Sequence, residues 1–140
     1  MRFLIVVILS LCLGIQIGYA ESSKTSAKSV VKAAEKTTFE LKDFDVSLAK
    51  NLVHDHNALL IDVRTQSEWD QGHVDGAWRV QVDEIDKRIS EIKSKAGKNL
   101  DRPIVLYCRS GGRAGRAKQI LLRAGFKNVV NAGGYKDWSN

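Results

Sequence analysis

Cysteine and proline are scarce in this chain of 140 residues, which contains two cysteines and one proline. Cys12 lies in an apolar N-terminal segment, so the rest of the chain keeps Cys108 alone. A single thiol cannot form an internal disulfide, which excludes a disulfide-stabilised scaffold and a multi-cysteine metal site. His54 and His56 do not supply one either, because residues two apart on a helix face different directions. The sequence predicts no metal site and no cofactor.

Acidic residues are absent between positions 102 and 136, a stretch that contains eight basic residues. Such an asymmetry predicts an anionic ligand near this part of the chain. Lys118, Arg123 and Lys127 are expected to lie on a solvated surface. A nucleic-acid partner is not predicted, because no platform of interleaved aromatic and basic residues is present.

Long apolar runs are also scarce: the one long run extends from Phe3 to Leu13, interrupted by Ser10. It follows Arg2, and residues 18–20 place small side chains where signal peptidase cleaves. We predict a signal peptide over 1–20 and a periplasmic or secreted protein, with an uncleaved membrane anchor as the alternative. No stable membrane insertion is expected after cleavage. The remainder carries 21 basic and 16 acidic residues, a net charge of +5.

Residues 21–37 are rich in Ser, Lys, Ala and Thr, which predicts a flexible linker, with a short helix over 30–36 as the alternative. The folded domain is predicted over 38–140, and we expect a monomer. Within it, strand-like apolar runs alternate with segments of helical periodicity. This alternation predicts a single α/β domain with a central, mainly parallel sheet flanked by helices.

The expected elements follow from this periodicity. Strands are predicted at 58–63, 77–82, 104–107 and 128–131. Helices are predicted at 47–56, 83–95 and 112–124, with a helical turn over 67–70 capped by Ser67. A turn at Gly133-Gly134 is predicted to lead into a short terminal helix containing Tyr135 and Trp138.

Cys108 follows a buried strand and precedes a glycine-rich loop and a helix. Ligands of open parallel sheets bind at this carboxyl end of the strands. Gly111 and Gly112 allow the backbone to curl so that successive N–H groups point inward, which forms an anion-binding nest. The nest and the helix N-terminus favour the thiolate over the thiol. The loop therefore predicts a nucleophilic cysteine that acts on a small anion.

Three side chains of the loop are candidate ligand contacts. Arg109 and Arg113 are predicted to bind the anion. Ser110 is equally compatible with a hydroxyl that faces the substrate and with a helix cap.

Three segments resemble motifs of one known family. Residues 108–113, Cys-Arg-Ser-Gly-Gly-Arg, are similar to the active-site loop of the rhodanese family of sulfurtransferases. Residues 60–64 and 72–77 resemble an upstream motif, and residues 132–138 resemble a closing motif. The chain is most similar to the periplasmic phage-shock rhodaneses. The resemblance implies a rhodanese-like domain that passes sulfur from thiosulfate, through a Cys108 persulfide, to cyanide or a thiol.

The resemblance also bears on three further residues. Asp62 and Arg64 follow the first buried strand, as in other family members, and we expect them to brace the loop through a salt bridge or hydrogen bond. Ala114 departs from the pattern, since many members carry a hydroxyl residue there. We therefore predict that Ala114→Ser raises activity or stabilises the thiolate.

Two alternatives remain. Cysteine phosphatases place five residues between Cys and Arg, whereas four separate Cys108 from Arg113, which indicates a pocket suited to sulfur. The other alternative is a persulfide carrier or binding module that docks to a partner and turns over slowly. The sequence leaves the physiological donor and acceptor open.

Overall fold

The protein is described by a computed structural model over residues 40–138. The predicted signal peptide at 1–20 and linker at 21–37 lie outside these residues. Within residues 40–138, no helix is both long and apolar enough to cross a membrane.

The described part of the chain is an α/β domain with a four-stranded sheet. All strand pairs are parallel, in the order β2-β1-β3-β4. The predicted fold class is therefore confirmed. In chain order the elements are α1 (Val46–His54), β1 (Leu59–Asp62), α2 (Gln66–Asp70), β2 (Trp78–Arg79), α3 (Ile89–Lys95), β3 (Ile104–Cys108), α4 (Gly112–Arg123), β4 (Val129–Gly134) and α5 (Tyr135–Trp138).

Two apolar layers cover the two faces of the sheet, because successive strand side chains point to opposite faces. Ile61 and Leu106 pack on one face together with Leu121 of α4. Leu60 and Tyr107 pack on the other face, where the helices α1 and α5 contribute Leu52 and Trp138, among others. Both faces of the central strands are thus buried, which explains their continuous apolar sequences.

The predicted helix over 83–95 is shorter in the structure. Two 3₁₀ turns, Val82–Glu84 and Asp86–Arg88, precede the α-helix α3 at Ile89–Lys95. Val82 and Ile85 are both buried, and a spacing of three places two side chains on one face of either helix type. Periodicity therefore identified a helical segment but did not distinguish 3₁₀ turns from an α-helix.

Three other element boundaries differ from expectation. Thr65, not Ser67, caps α2, because its hydroxyl accepts from Glu68 N. The second strand is limited to Trp78–Arg79, at the edge of the sheet. The last strand continues through the glycines expected to form a turn and ends at Gly134.

Candidate active site

Cys108 is the last residue of β3, and its side chain lies at the carboxyl end of the sheet. The residue is 1% exposed and packs with the apolar layer that contains Leu106 and Ala114. Its Sγ accepts a hydrogen bond from Gly111 N at 3.1 Å. A donor at this position favours a negatively charged sulfur, because hydrogen bonds to the charged form of a group stabilise that form.

The backbone at Gly111 produces this contact. Gly111 has φ +91°, a left-handed conformation that L side chains rarely adopt. Its carbonyl accepts from Gly115 N at 2.8 Å, so the loop passes directly into the first turn of α4. The sulfur therefore faces a backbone N–H next to the positive end of a twelve-residue helix.

A second glycine allows β4 to approach the loop closely. Gly134 pairs with Cys108 across the β3–β4 ladder, beside an irregularity in the register. A Cβ at Gly134 would lie 2.8 Å from the carbonyl oxygen of Arg109. The Gly133-Gly134 motif thus brings the terminal segment against the cysteine loop.

An open cleft of about 640 Å³ lies beside this loop. Arg109 and Ser110 are exposed on one side of it. The other described lining residues come from the segments that follow β1 and β4, namely Arg64, Glu68, Gln71, Tyr135 and Lys136. Three of the lining side chains are basic, so the cleft suits an anion.

Arg109 and Arg113 have different environments, although both were predicted to bind the anion. Arg109 makes no hydrogen bond or ion pair with the residues that the structure describes. Arg113 donates from both terminal nitrogens to the two carboxylate oxygens of Glu68, at 2.7 Å each. Arg109 is thus free for a ligand, whereas Arg113 is already engaged.

Glu68 was not predicted as a site residue. Thr65 donates to Glu68 Oε2 from its backbone N at 3.1 Å and from its hydroxyl at 3.0 Å. The hydrogen bonds from Arg113 lower the pKa of Glu68 to about 2, and the bonds to Glu68 raise the pKa of Arg113. A Thr-x-x-Glu capping box is visible in the sequence and was the available signal for this carboxylate.

Asp62, the last residue of β1, forms a buried ion pair with Arg64. The Nε of Arg64 donates to both Asp62 oxygens, at 3.0 and 2.8 Å. Its second terminal nitrogen donates to the carbonyl of Gly72 at 2.7 Å. The guanidinium lies 4.3 Å from the ring centroid of Tyr135. The pair therefore connects the segment after β1 to residue 72 and to α5.

Ala114 is fully buried within the first turn of α4 and belongs to the same apolar layer as Cys108. The position that departs from the family pattern thus lies inside the core near the thiol.

A comparison with protein-family models matches the Rhodanese-like domain over residues 45–140. The thiosulfate sulfurtransferase PspE of Escherichia coli is 38% identical over 77 residues, 55% of this chain and 70% of that protein. A sulfurtransferase of Allochromatium vinosum is 36% identical, over 66% of this chain and 82% of that protein. The chain covers 60% of the length of a protein of Bacillus subtilis that is 38% identical to it, and 22% of a tRNA uridine(34) hydroxylase of Photorhabdus laumondii that is 32% identical.

Solved structures agree with the sequence matches. A rhodanese with anions from Escherichia coli superimposes with a TM-score of 0.51 and 36% identity, covering 57% of this chain and 89% of that one. The family model covers well over half of the chain and includes the cysteine loop, both ion pairs and the cleft. The chain therefore belongs to the rhodanese family of sulfurtransferases.

Proposed function

We propose that this protein is a thiosulfate sulfurtransferase that carries sulfane sulfur as a persulfide on Cys108 and passes it to cyanide or to a thiol. The observation that carries the proposal is the Gly111 N–H bond to the Cys108 sulfur. Through this bond the backbone holds a hydrogen-bond donor next to the Cys108 sulfur, at the carboxyl end of β3 and beside a basic cleft.

In the first half-reaction, the Cys108 thiolate attacks the outer sulfur of thiosulfate. The S–S bond of thiosulfate breaks, and sulfite leaves with the bonding electron pair. One monoanion and one dianion become a persulfide monoanion and a sulfite dianion, so charge and atoms balance. Covalent catalysis of this kind divides one difficult transfer into two easier steps.

In the second half-reaction, cyanide or a thiolate attacks the outer sulfur of the persulfide. Thiocyanate or a new persulfide forms, and the Cys108 thiolate is regenerated. In this step negative charge develops on the Cys108 sulfur, next to the Gly111 N–H. A preset donor at such a point lowers the barrier of this step without reorganisation.

Within this proposal, Arg109 makes the direct contact with the entering anion, because its guanidinium is exposed in the cleft and unengaged by the described residues. Ser110 and the Gly111-Gly112 backbone complete the binding loop. Arg113 keeps its position in the loop through Glu68. Asp62 and Arg64 brace the opposite wall through the Gly72 carbonyl.

The proposed location is the periplasm or the exterior, after cleavage following Ala20. The support is the apolar segment over residues 3–13 and the small residues at 18–20. Expression with cell fractionation, followed by the intact mass of the exported product, tests it. A product found in the membrane fraction at full mass would favour the uncleaved anchor.

The activity is tested by sulfite and thiocyanate release from thiosulfate and cyanide, with Cys108→Ser as the matched variant. We expect turnover by the wild type and background rates for the variant. Equal rates for the two proteins, or no product from the wild type, would contradict the proposal. If mass spectrometry shows one added sulfur on Cys108 but turnover with small acceptors is slow, the carrier function is favoured. Hydrolysis of an aryl phosphate would indicate the phosphatase.

A further inference from the structure

Asn131 is a buried polar residue in the middle of β4. It is 3% exposed, and its neighbours Val130 and Ala132 are apolar and buried. Burial of a side-chain amide is unfavourable unless its donor and acceptor are both satisfied. The contacts of Asn131 therefore show what this residue contributes.

The side chain of Asn131 joins the cysteine loop to the end of β4. Its Nδ2 donates to the carbonyl of Gly111 at 3.0 Å. Its Oδ1 accepts from Gly133 N at 3.0 Å. One amide thus connects the two glycines whose left-handed conformations, with φ of +91° and +89°, shape the site.

Gly111 is the residue whose N–H bonds the Cys108 sulfur. A glycine has wide conformational freedom, so the orientation of its two peptide groups depends on external contacts. In a planar trans peptide the N–H of Gly112 points opposite to the Gly111 carbonyl. Asn131 holds that carbonyl together with Gly115 N, and the two bonds direct the next N–H of the loop away from Asn131 and restrict the conformation of Gly111.

A short segment before α1, residues 43–44, holds Asn131 from the outside. The Asp43 carboxylate accepts from Asn131 N at 2.9 Å and from Lys118 Nζ at 2.7 Å. The backbone N of Phe44 donates to Asn131 O at 2.8 Å. The Phe44 ring lies against Gly111, where a Cβ would overlap it, and a Cβ at Gly133 would lie 3.3 Å from the same ring. Phe44 itself has φ +62°. Asn131 is therefore constrained through both its backbone groups and its side chain.

We propose that Asn131 is a positioning residue for the nucleophile: its amide orients the Gly111 peptides, so that the loop presents a hydrogen-bond donor to the Cys108 sulfur. The inference rests on the proposed function only for its effect on turnover. Its effect on the reactivity of the thiol is independent of the substrate.

The test measures the rate of alkylation of Cys108 by iodoacetamide as a function of pH, on the purified full chain. Alkylation of the Cys108 peptide is quantified by mass spectrometry, so Cys12 does not interfere. In Asn131→Asp, the oxygen that accepts from Gly133 is kept, but an oxygen replaces the donor to Gly111. Asn131→Ala removes the same donor without adding charge. Asn99→Asp is the control, since Asn99 is exposed, accepts from Asp101 N, and precedes β3 at the opposite end of the sheet.

We expect the midpoint of the alkylation curve to move up by about one pH unit in both Asn131 variants, and not in Asn99→Asp. Sulfite release should slow roughly tenfold in the same two proteins. Unchanged midpoints in Asn131 variants that circular dichroism shows to be folded would overturn the inference, since a purely structural role alters melting alone. A shift in Asn131→Asp without one in folded Asn131→Ala would also overturn it, because charge would then be the cause.

Where Asn131→Ala does not fold, Asn131→Val replaces it, because valine also removes the donor without adding charge and fills more of the space. A shifted midpoint with slower sulfite release in single turnover then supports the inference, and wild-type values in folded Asn131→Val overturn it. The proposed function fails separately. A wild type that shows the expected thiol reactivity but no sulfur transfer contradicts the function and leaves the positioning role intact.

Discussion

The two loops that enclose the cleft are built differently. The first, residues 62–68, extends from the end of β1 into α2 and is held by side-chain ion pairs: Asp62 with Arg64, and Glu68 with Arg113. The loop after β3, residues 108–113, is held by its backbone, through the left-handed Gly111 and the bonds to its carbonyl and N–H. One loop thus contributes fixed charge, and the other contributes fixed N–H groups.

This difference determines which charges remain for a ligand. The sequence places many basic residues and no acid around the cysteine, and predicts that Arg109 and Arg113 both bind an anion. In the fold, Glu68 pairs with Arg113 and Asp62 pairs with Arg64. Arg109, by contrast, has no ion pair with any described residue. The positive charge available to a substrate is therefore smaller and more localised than the composition indicates.

The largest expected effect comes from altering the backbone-built loop. Gly111→Ala should lower the free energy of unfolding by about 2 to 3 kcal/mol, because φ +91° is strained for alanine and its Cβ would overlap the Phe44 ring. Urea denaturation measures the change. Gly76→Ala is the control, since Gly76 has φ +76° with open space around it, and should cost about 1 kcal/mol. Equal costs at the two positions would show that packing against Phe44 contributes nothing.

The next largest effect is expected at Arg109, whose side chain has no ion pair with the described residues. Arg109→Ala should raise KM for thiosulfate by roughly ten- to a hundredfold, as expected for the loss of one hydrogen-bonded charge contact, with a smaller change in kcat. Arg123→Ala, an exposed arginine at the far end of α4, removes the same charge and should leave KM within about twofold. If both variants raise KM alike, the effect is the general field of the protein rather than a contact.

A smaller effect is expected from the ion-paired loop. Glu68→Gln should lower the free energy of unfolding by about 1 to 2 kcal/mol at pH 7, a range reduced from the full pKa shift because the pair is partly solvated. Because Arg113 lowers the pKa of Glu68 from 4.5 to about 2, this stabilisation is fully present above pH 4.5. It is lost as the pH falls toward 2, so the difference between wild type and variant should shrink over that range.

Denaturation curves at several pH values check this pH dependence. Glu91→Gln removes an exposed pair with Arg88 and should cost clearly less than Glu68→Gln, because solvent screens that pair. A gap between wild type and Glu68→Gln that stays constant from pH 6 to pH 2.5 would contradict the assignment.

The smallest effect is expected inside the core. Ala114→Ser should raise the rate of sulfite release about two- to fivefold, because a hydroxyl in the first turn of α4 can donate to the sulfur. Ala117→Ser is the matched control, since Ala117 is equally buried one turn later on the same helix. A single-turnover assay separates the two. No change, or the same change in both variants, would mean that the departure at residue 114 has no catalytic consequence.

Local sequence patterns predicted most of the fold. The apolar runs at 58–63 and 104–107 contain β1 and β3, and it was their short length and continuous apolar sequence that predicted strands buried on both faces. The prediction was wrong for residues 83–88, where 3₁₀ turns replace the expected α-helix, because the spacing of buried Val82 and Ile85 fits both helix types. The cap of α2 was misassigned because Thr65 and Ser67 are both cap-forming residues, and only the fold selects the one that pairs with Glu68.

For the site, the sequence determined the location of the thiol. Cys108 follows a buried strand and precedes two glycines and a helix. This order alone predicts that the thiol lies beside backbone N–H groups at the carboxyl end of the sheet. What each charged side chain does there depends on the tertiary structure. Glu68 and Arg113 are 45 residues apart, and Asn131 and Gly111 are 20 apart, so no local period links them. Parallel pairing brings the carboxyl ends of β1, β3 and β4 to the same end of the sheet. The conformations of the segments that follow these strands then determine which side chains meet.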